Sequence, residues 1–83
     1  MNSVSATETD VLDVRGLKCP LPALFAHRAL KRSAVGQIID VITDDPMAPI
    51  DVPHMCRQEG YEVVEIEKLK DATRLRLRRP DAR

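Results

Sequence analysis

From Thr73 the chain reads TRLRLRR, a strict alternation with Thr73, Leu75 and Leu77 on one side and Arg74, Arg76 and Arg78 on the other. Successive side chains of a β-strand point to opposite faces, so this stretch predicts a strand with one apolar and one charged face. Such a strand belongs to a sheet that is covered on one side and open on the other. With 83 residues there is material for one domain and one modest core. The rest of the chain must therefore cover one face of a sheet. Phe25 and Tyr61 are its only aromatic residues, so that core is aliphatic.

Three further stretches read as strand, one as turn and two as helix. VLDV, residues 11–14, alternates apolar and acidic residues and predicts a first strand. QIIDVIT, 37–43, is an apolar run broken only by Asp40, and YEVVEIEKL, 61–69, predicts a third strand. Between the first two, from Pro20 to about Arg32, Ala23, Ala26, Ala29 and Leu30 recur at helical steps. Lys31 and Arg32 lie at its end, where the helix dipole favours cations, and Gly36 follows as a stop. A shorter helix is expected over Val52 to Glu59, capped by Asp51, with Pro53 in its first turn and Gly60 ending it. Asp44, Asp45 and Pro46 carry turn chemistry. The order β-α-β-α-β-β, with both helices on one face of a four-stranded mixed sheet, is an α/β (α+β) two-layer sandwich.

Cys19 stands where the first helix opens, in the stretch KCPLP. With Pro20 at the first helical position, Cys19 is expected to be the N-cap, and Pro22 still lies in the first turn. The cysteine has two readings. Cysteine is often a small buried filler. Ser, Thr, Asp and Asn are the usual caps, however, and a sulfur at a helix N-terminus near Lys18 and Arg15 is expected to hold negative charge. Its pKa would then fall from about 8.5 to between about 3.5 and 7.5. Such a thiolate can exchange sulfur without a general base. His27, eight residues along the same helix, is too far up the axis to serve as one, and is expected on the wet face. His54 opens the second helix. Cys-x-x-Cys redox chemistry is excluded by Pro22.

The stretch LDVRGLKCPLPAL, Leu12 to Leu24, resembles the TusA/SirA-like sulfur carriers, with a strand, Arg-Gly-Leu and a Cys-Pro-x-Pro box. GQIIDVITDDPMA (36–48) and DVPHMCRQEGYEVVE (51–65) continue the similarity, which runs from about Leu12 to Leu77. The resemblance implies the same sandwich fold and a persulfide carried on Cys19. Arg15, Gly16, Lys18, Pro20 and Pro22 would support the helix start and the anion. It also implies a cysteine desulfurase or other persulfide donor and a downstream relay protein, with destinations such as 2-thiouridine in tRNA, sulfur oxidation or molybdenum-cofactor pathways. Such a protein is a carrier rather than a stand-alone turnover enzyme. Tyr61 departs from the pattern, since histidine is common there in relatives. Residues 1–9 are expected as a flexible leader, 10–79 as a single TusA-like domain and 80–83 as a flexible tail.

Other functions are set against this one. Thirteen basic and thirteen acidic residues cancel, which removes any global attraction for nucleic acid or a membrane surface. The charges are nonetheless polarised, with seven basic residues against two acidic ones from Lys68 to Arg83. The Arg74/Arg76/Arg78 face is therefore either a solvated surface or, in the alternative reading, the docking face of a non-catalytic RNA- or protein-binding module. Cys56 shares an apolar helical stripe with Val52 and Met55 and reads as core, the alternative being a redox partner for Cys19. His54 and Cys56, two apart on a helix, do not face one metal. No metal, cofactor or direct nucleic-acid contact is expected. MNSVSATET at the start has neither a basic nor an apolar segment, and no stretch approaches the ~20 apolar residues of a spanning helix. A cytoplasmic monomer with reduced thiols is the expectation.

Overall fold

A computed structural model describes residues 9–80. Its strands are β1 (Thr9–Asp13), β2 (Ile38–Thr43), β3 (Glu62–Lys68) and β4 (Thr73–Arg78), and its helices α1 (Leu21–Arg32) and α2 (Ala48–Glu59). The sheet runs β1-β2-β4-β3, with β1 and β2 parallel and the other pairs antiparallel. This is the mixed four-stranded α+β architecture expected from the order β-α-β-α-β-β. β4 is an interior strand, and its register with β2 pairs Leu77 with Ile39, Leu75 with Val41 and Thr73 with Thr43.

Those residues floor the core. Val14, Ala26, Leu30, Ile39, Val41, Ala48, Val52, Cys56, Leu75 and Leu77 are buried together, with Phe25, Met55 and Tyr61 packed at the margin. Each leucine taken fully out of water contributes about 1.5–3 kcal/mol, so an aliphatic core of this kind holds the layers together without large aromatics. Pro22 is also buried, so the second proline of the Cys-Pro-x-Pro box is a packing residue as well as a helix starter.

The opposite face is less open than a bare arginine stripe suggests. Arg76 grips Asp40 through two hydrogen bonds of 2.8 and 2.9 Å, and Arg74 lies 3.3 Å from the same carboxylate. Arg74 also pairs with Glu67 at 2.6 Å and Arg78 with Glu62 at 2.9 Å. Asp40, the residue that broke the apolar run of β2, is thereby only 6% exposed. The hydrogen bonds from Arg76 hold its carboxyl below the usual carboxylate range against the opposing effect of burial. The arginines form cross-strand ion pairs rather than an unneutralised patch. On edge strand β3 the register shifts between Val63 and Glu65, a bulge that blunts the exposed edge.

The starts of β1 and α2 differ from the sequence reading. β1 starts at Thr9, which pairs with Ile38, so the last residue of the expected leader is part of the sheet. Residues 1–8 of that leader and 81–83 of the tail lie outside the described residues. α2 starts at Ala48 rather than Val52, with Met47 as its N-cap in place of Asp51. Pro49 looks like a breaker but occupies the second helical position, where its missing N–H would have had no partner. Asp51 N–H instead donates to Met47 O at 2.8 Å, inside the helix. Pro53 then lies in the helix interior, where it removes a donor from the ladder. Gly60 ends α2 as expected. Its φ of +83° is left-handed, and a Cβ there would meet nothing within 4 Å, so conformation rather than space selects glycine.

Candidate functional site

Because β1 and β2 are parallel, the β1–α1 and β2–α2 loops leave the sheet at the same edge. The loop after β1 is bound to that edge first: Val14 N–H donates to Ile42 O at 2.8 Å, and Leu17 N–H closes a turn on Val14 O at 3.1 Å. Gly16 makes the turn possible with φ of +87°. The β2–α2 loop then clamps it. Gly16 N–H donates to Asp44 Oδ1 at 2.9 Å, and Cys19 N–H to Asp45 Oδ2 at 3.2 Å. Asp45 is itself anchored through its own N–H to Thr43 Oγ1 at 3.2 Å. The two aspartates of the turn thus fix the backbone of the cysteine loop, a role beyond turn formation.

Cys19 is exposed at the point where both helices begin. It is not the N-cap of α1. Pro20 holds that position, its carbonyl accepting from Leu24 N–H at 3.1 Å, so the cysteine lies one residue before the cap. The Cys19–Pro20 peptide bond is cis. The thiol donates a hydrogen bond to Asp51 Oδ2 at 2.6 Å, across 32 residues of sequence. Exposed apolar side chains lie on the helix starts next to this pair in sequence: Leu21 and Leu24 on the first turn of α1, and Met47 and Ile50 at the start of α2.

The expected low thiol pKa is overturned. The hydrogen bond to Asp51 pushes the Cys19 pKa up, and desolvation and the charges of Asp51 and Asp45 act in the same direction. The helix start offers little to oppose them. Pro20 and Pro22 have no N–H, and the N–H of Leu21 is taken by Lys18 O at 2.8 Å. The prolines that stiffen the helix thus remove two of the backbone donors around its start. Arg15 is not at the sulfur: its guanidinium grips Asp13 at 2.7 Å, and that hydrogen bond lowers the Asp13 pKa to about 2. Lys18 is exposed. The guanidinium of Arg15, expected to support the anion, is thus engaged in an ion pair at the end of β1.

The other candidates sort themselves by burial. Cys56 is fully buried in α2, where desolvation pushes its thiol up to about 11, as suits a core residue. His27 is not on a wet face; it is half-buried on α1, with its ring 5.7 Å from that of Tyr61. His54 is exposed in mid-α2 instead of opening the helix. Asp44, Asp45 and Asp51 are the site residues that sequence reasoning missed. A signal for them existed, since parallel strands joined by a helix bring their following loops to one edge, where ligand and catalytic groups gather in α/β sheets.

With this geometry in place, the chain can be set beside known proteins. Residues 10–79 match the family described as Sulfurtransferase TusA. The chain belongs to the TusA family. Over 60 residues it is 45% identical to a protein of Archaeoglobus fulgidus named for a sulfur-carrier role, covering 72% of this chain and 78% of that one. A protein of Thermotoga maritima with the same kind of name is 41% identical over 61 residues, 74% of this chain and 77% of that one. Among solved structures, the SirA-like protein of Desulfitobacterium hafniense superposes with a TM-score of 0.74. That alignment covers 89% of this chain and all of the other at 22% identity, a likeness of fold. TusA-family membership carries a sulfur-carrier role and sulfur-relay partners in general. Among the described residues no helix is long and apolar enough to cross a membrane.

Proposed function

We propose that this TusA-family protein accepts sulfane sulfur as a persulfide on Cys19, from a cysteine desulfurase or a similar donor, and passes it to an acceptor thiol. The observation that carries the reading is the placement of Cys19: an exposed thiol whose loop is fixed by Asp44 and Asp45 while its sulfur stays accessible. Sulfur exchange needs a sulfur that another sulfur can approach, held in place by its own backbone. The exposed apolar Leu21, Leu24, Met47 and Ile50 at the starts of α1 and α2 give a partner protein something to bury while the sulfurs meet. Gly16 and Pro22 support the site as turn former and packed helix starter, and Pro20 caps α1 directly after the cysteine.

The relay is a cytoplasmic one in this reading, with 2-thiouridine in tRNA as one destination, and the chain acts as a monomeric carrier over residues 10–79. Two rival readings lose support. The arginines of β4 are engaged by Glu62, Glu67 and Asp40, so an RNA would have to displace those partners. Burial of Cys56 removes the ready second thiol that a redox pair requires.

The test is mass spectrometry after incubation with a cysteine desulfurase and cysteine. The wild-type chain should gain the mass of one sulfur atom, and Cys19→Ser should gain none while keeping its far-UV circular dichroism. A wild-type chain that stays unmodified, or a Cys19→Ser variant that still gains sulfur, rejects the carrier role of this residue.

A further inference from the structure

Thiol exchange on its own needs no general base, yet the sulfur of Cys19 is in contact with one. Asp51 reaches it from the first turn of α2, a different element from the cysteine loop, and its Oδ2 lies 2.6 Å from Sγ. The remaining charges nearby are ordered around that contact. Asp45 is bound to the N–H of Cys19 and Asp44 to the N–H of Gly16. Arg15 is held by Asp13, while Lys18 on the loop and His54 one turn further along α2 are exposed. Among the described residues, Asp51 is thus the one charged side chain in hydrogen-bond contact with the sulfur.

We propose that Asp51 is the proton acceptor for Cys19 in sulfur transfer. The inference rests on the persulfide reading given above and adds the group that handles its proton. In loading, Asp51 Oδ2 takes the proton from Sγ–H as the freed electron pair of Sγ bonds to the terminal sulfur of a donor persulfide, R–S–SH. The S–S bond of the donor breaks, and its electron pair remains on R–S⁻, which takes a proton from water. Asp51 then returns its proton to water. The sum is Cys19–SH plus R–S–SH giving Cys19–S–SH plus R–SH, with no net oxidation or reduction. In discharge the steps run backwards. Asp51 takes a proton from water and the acceptor thiol gives one up to water, the acceptor thiolate attacks the terminal sulfur, and the departing Sγ takes the proton from Asp51.

This assignment explains why a carrier tolerates a carboxylate that disfavours the thiolate. A group that holds the proton at rest is also the group positioned to remove it, and general-base assistance of this kind is worth about 10²–10⁴ in rate. The contact also makes two readouts move in opposite directions, which neither a structural role nor a simple electrostatic one would do.

The experiment compares wild type, Asp51→Asn and Asp51→Glu in two assays. One is the pH dependence of Cys19 alkylation by iodoacetamide; the other is the rate of sulfur gain from a cysteine desulfurase supplied with cysteine, followed by mass. Asp51→Asn keeps the shape of the side chain but loses the charge and the basicity. Its alkylation curve should move to lower pH than that of wild type, while its sulfur gain at neutral pH should slow by about 10²-fold. Asp51→Glu, which restores a carboxylate, should load faster than Asp51→Asn. The proposal is overturned if Asp51→Asn loads as fast as wild type, if its alkylation curve does not move, or if Asp51→Glu recovers nothing. A wild-type chain that gains no sulfur, together with a shifted alkylation curve in Asp51→Asn, would instead mark the failure of the carrier reading with the Cys19–Asp51 contact intact.

Discussion

Cys19 and Cys56 both keep their protons more tightly than a free thiol, and they do so for different physical reasons. Cys56 is buried in one cluster with Ala26, Leu30, Val41 and Val52, and desolvation pushes its pKa to about 11 against the opposing charge of Arg57. Cys19 is exposed, and its proton is held chiefly by the hydrogen bond to Asp51. One thiol is quiet because nothing can reach it. The other is quiet until the proton is moved, and a base lies against it to do so. A raised pKa by itself therefore does not separate a structural cysteine from a working one; the cause of the shift does.

The largest test of this contrast is chemical access. Under native conditions iodoacetamide should modify Cys19 at least about 10³-fold faster than Cys56, because Cys56 reacts only when the core opens. In denaturant the two rates should converge. Peptide mapping of a time course measures both at once, and comparable native rates would place Cys56 outside the core and revive it as a redox partner.

The second test uses pH. Folding raises the Cys56 pKa to about 11 from the ordinary thiol value of about 8.5, so the unfolded chain gives up this proton first. Stability from this group is complete below about pH 8.5 and is lost as the pH climbs through about 11, a total of about 3 kcal/mol. Urea unfolding across that range should show the loss in wild type and not in Cys56→Ala, which isolates it from the contribution of every other group. An equal loss in both would assign the alkaline weakening to other groups.

A third, smaller effect separates the two sites by substitution. Cys56→Ser puts a hydroxyl into an apolar pocket and should cost about 1–3 kcal/mol. Cys19→Ser lies at the surface and should leave the urea midpoint within error of wild type. If the surface substitution proved as damaging as the buried one, the loop around Cys19 would be part of the folding core.

Part of this contrast is readable in the sequence and part is not, for reasons that can be located. The alternation of Thr73, Leu75 and Leu77 with Arg74, Arg76 and Arg78 fixes one apolar face, and the structure buries it. Local rules also suffice for Gly60 and for Cys56, since a left-handed stop and a helical apolar stripe involve only neighbouring residues. They fail for α2, because Pro49 has opposite meanings one turn apart: a breaker in a helix interior, a harmless residue in its first turn. They fail again for Asp40, whose arginine partners arrive from another strand. The sharpest failure is the sign of the Cys19 shift. Arg15, Lys18 and a helix start are adjacent in sequence, whereas Asp51 is 32 residues away. Nearness along the chain pointed to cations; packing brought a carboxylate.

That reversal supplies the smallest predicted effect, and the one that decides between the two accounts of the thiol. If cations beside Cys19 set its ionisation, Arg15→Ala should move the alkylation curve to higher pH. In the structure the Arg15 guanidinium is bound to both carboxylate oxygens of Asp13, at 3.0 and 2.7 Å, and its charge is neutralised there. The pair is exposed, so water and salt screen what field remains. Arg15→Ala should therefore leave the Cys19 alkylation curve unmoved on the scale of the Asp51→Asn shift, with Asp13 losing its partner and recovering a more ordinary carboxylate pKa. NMR titration of the Asp13 carboxyl and alkylation of Cys19 in the same variant measure the two ends of this argument. A curve displaced to higher pH in Arg15→Ala would return control of the sulfur to the cations of its own loop and leave Asp51 a secondary influence.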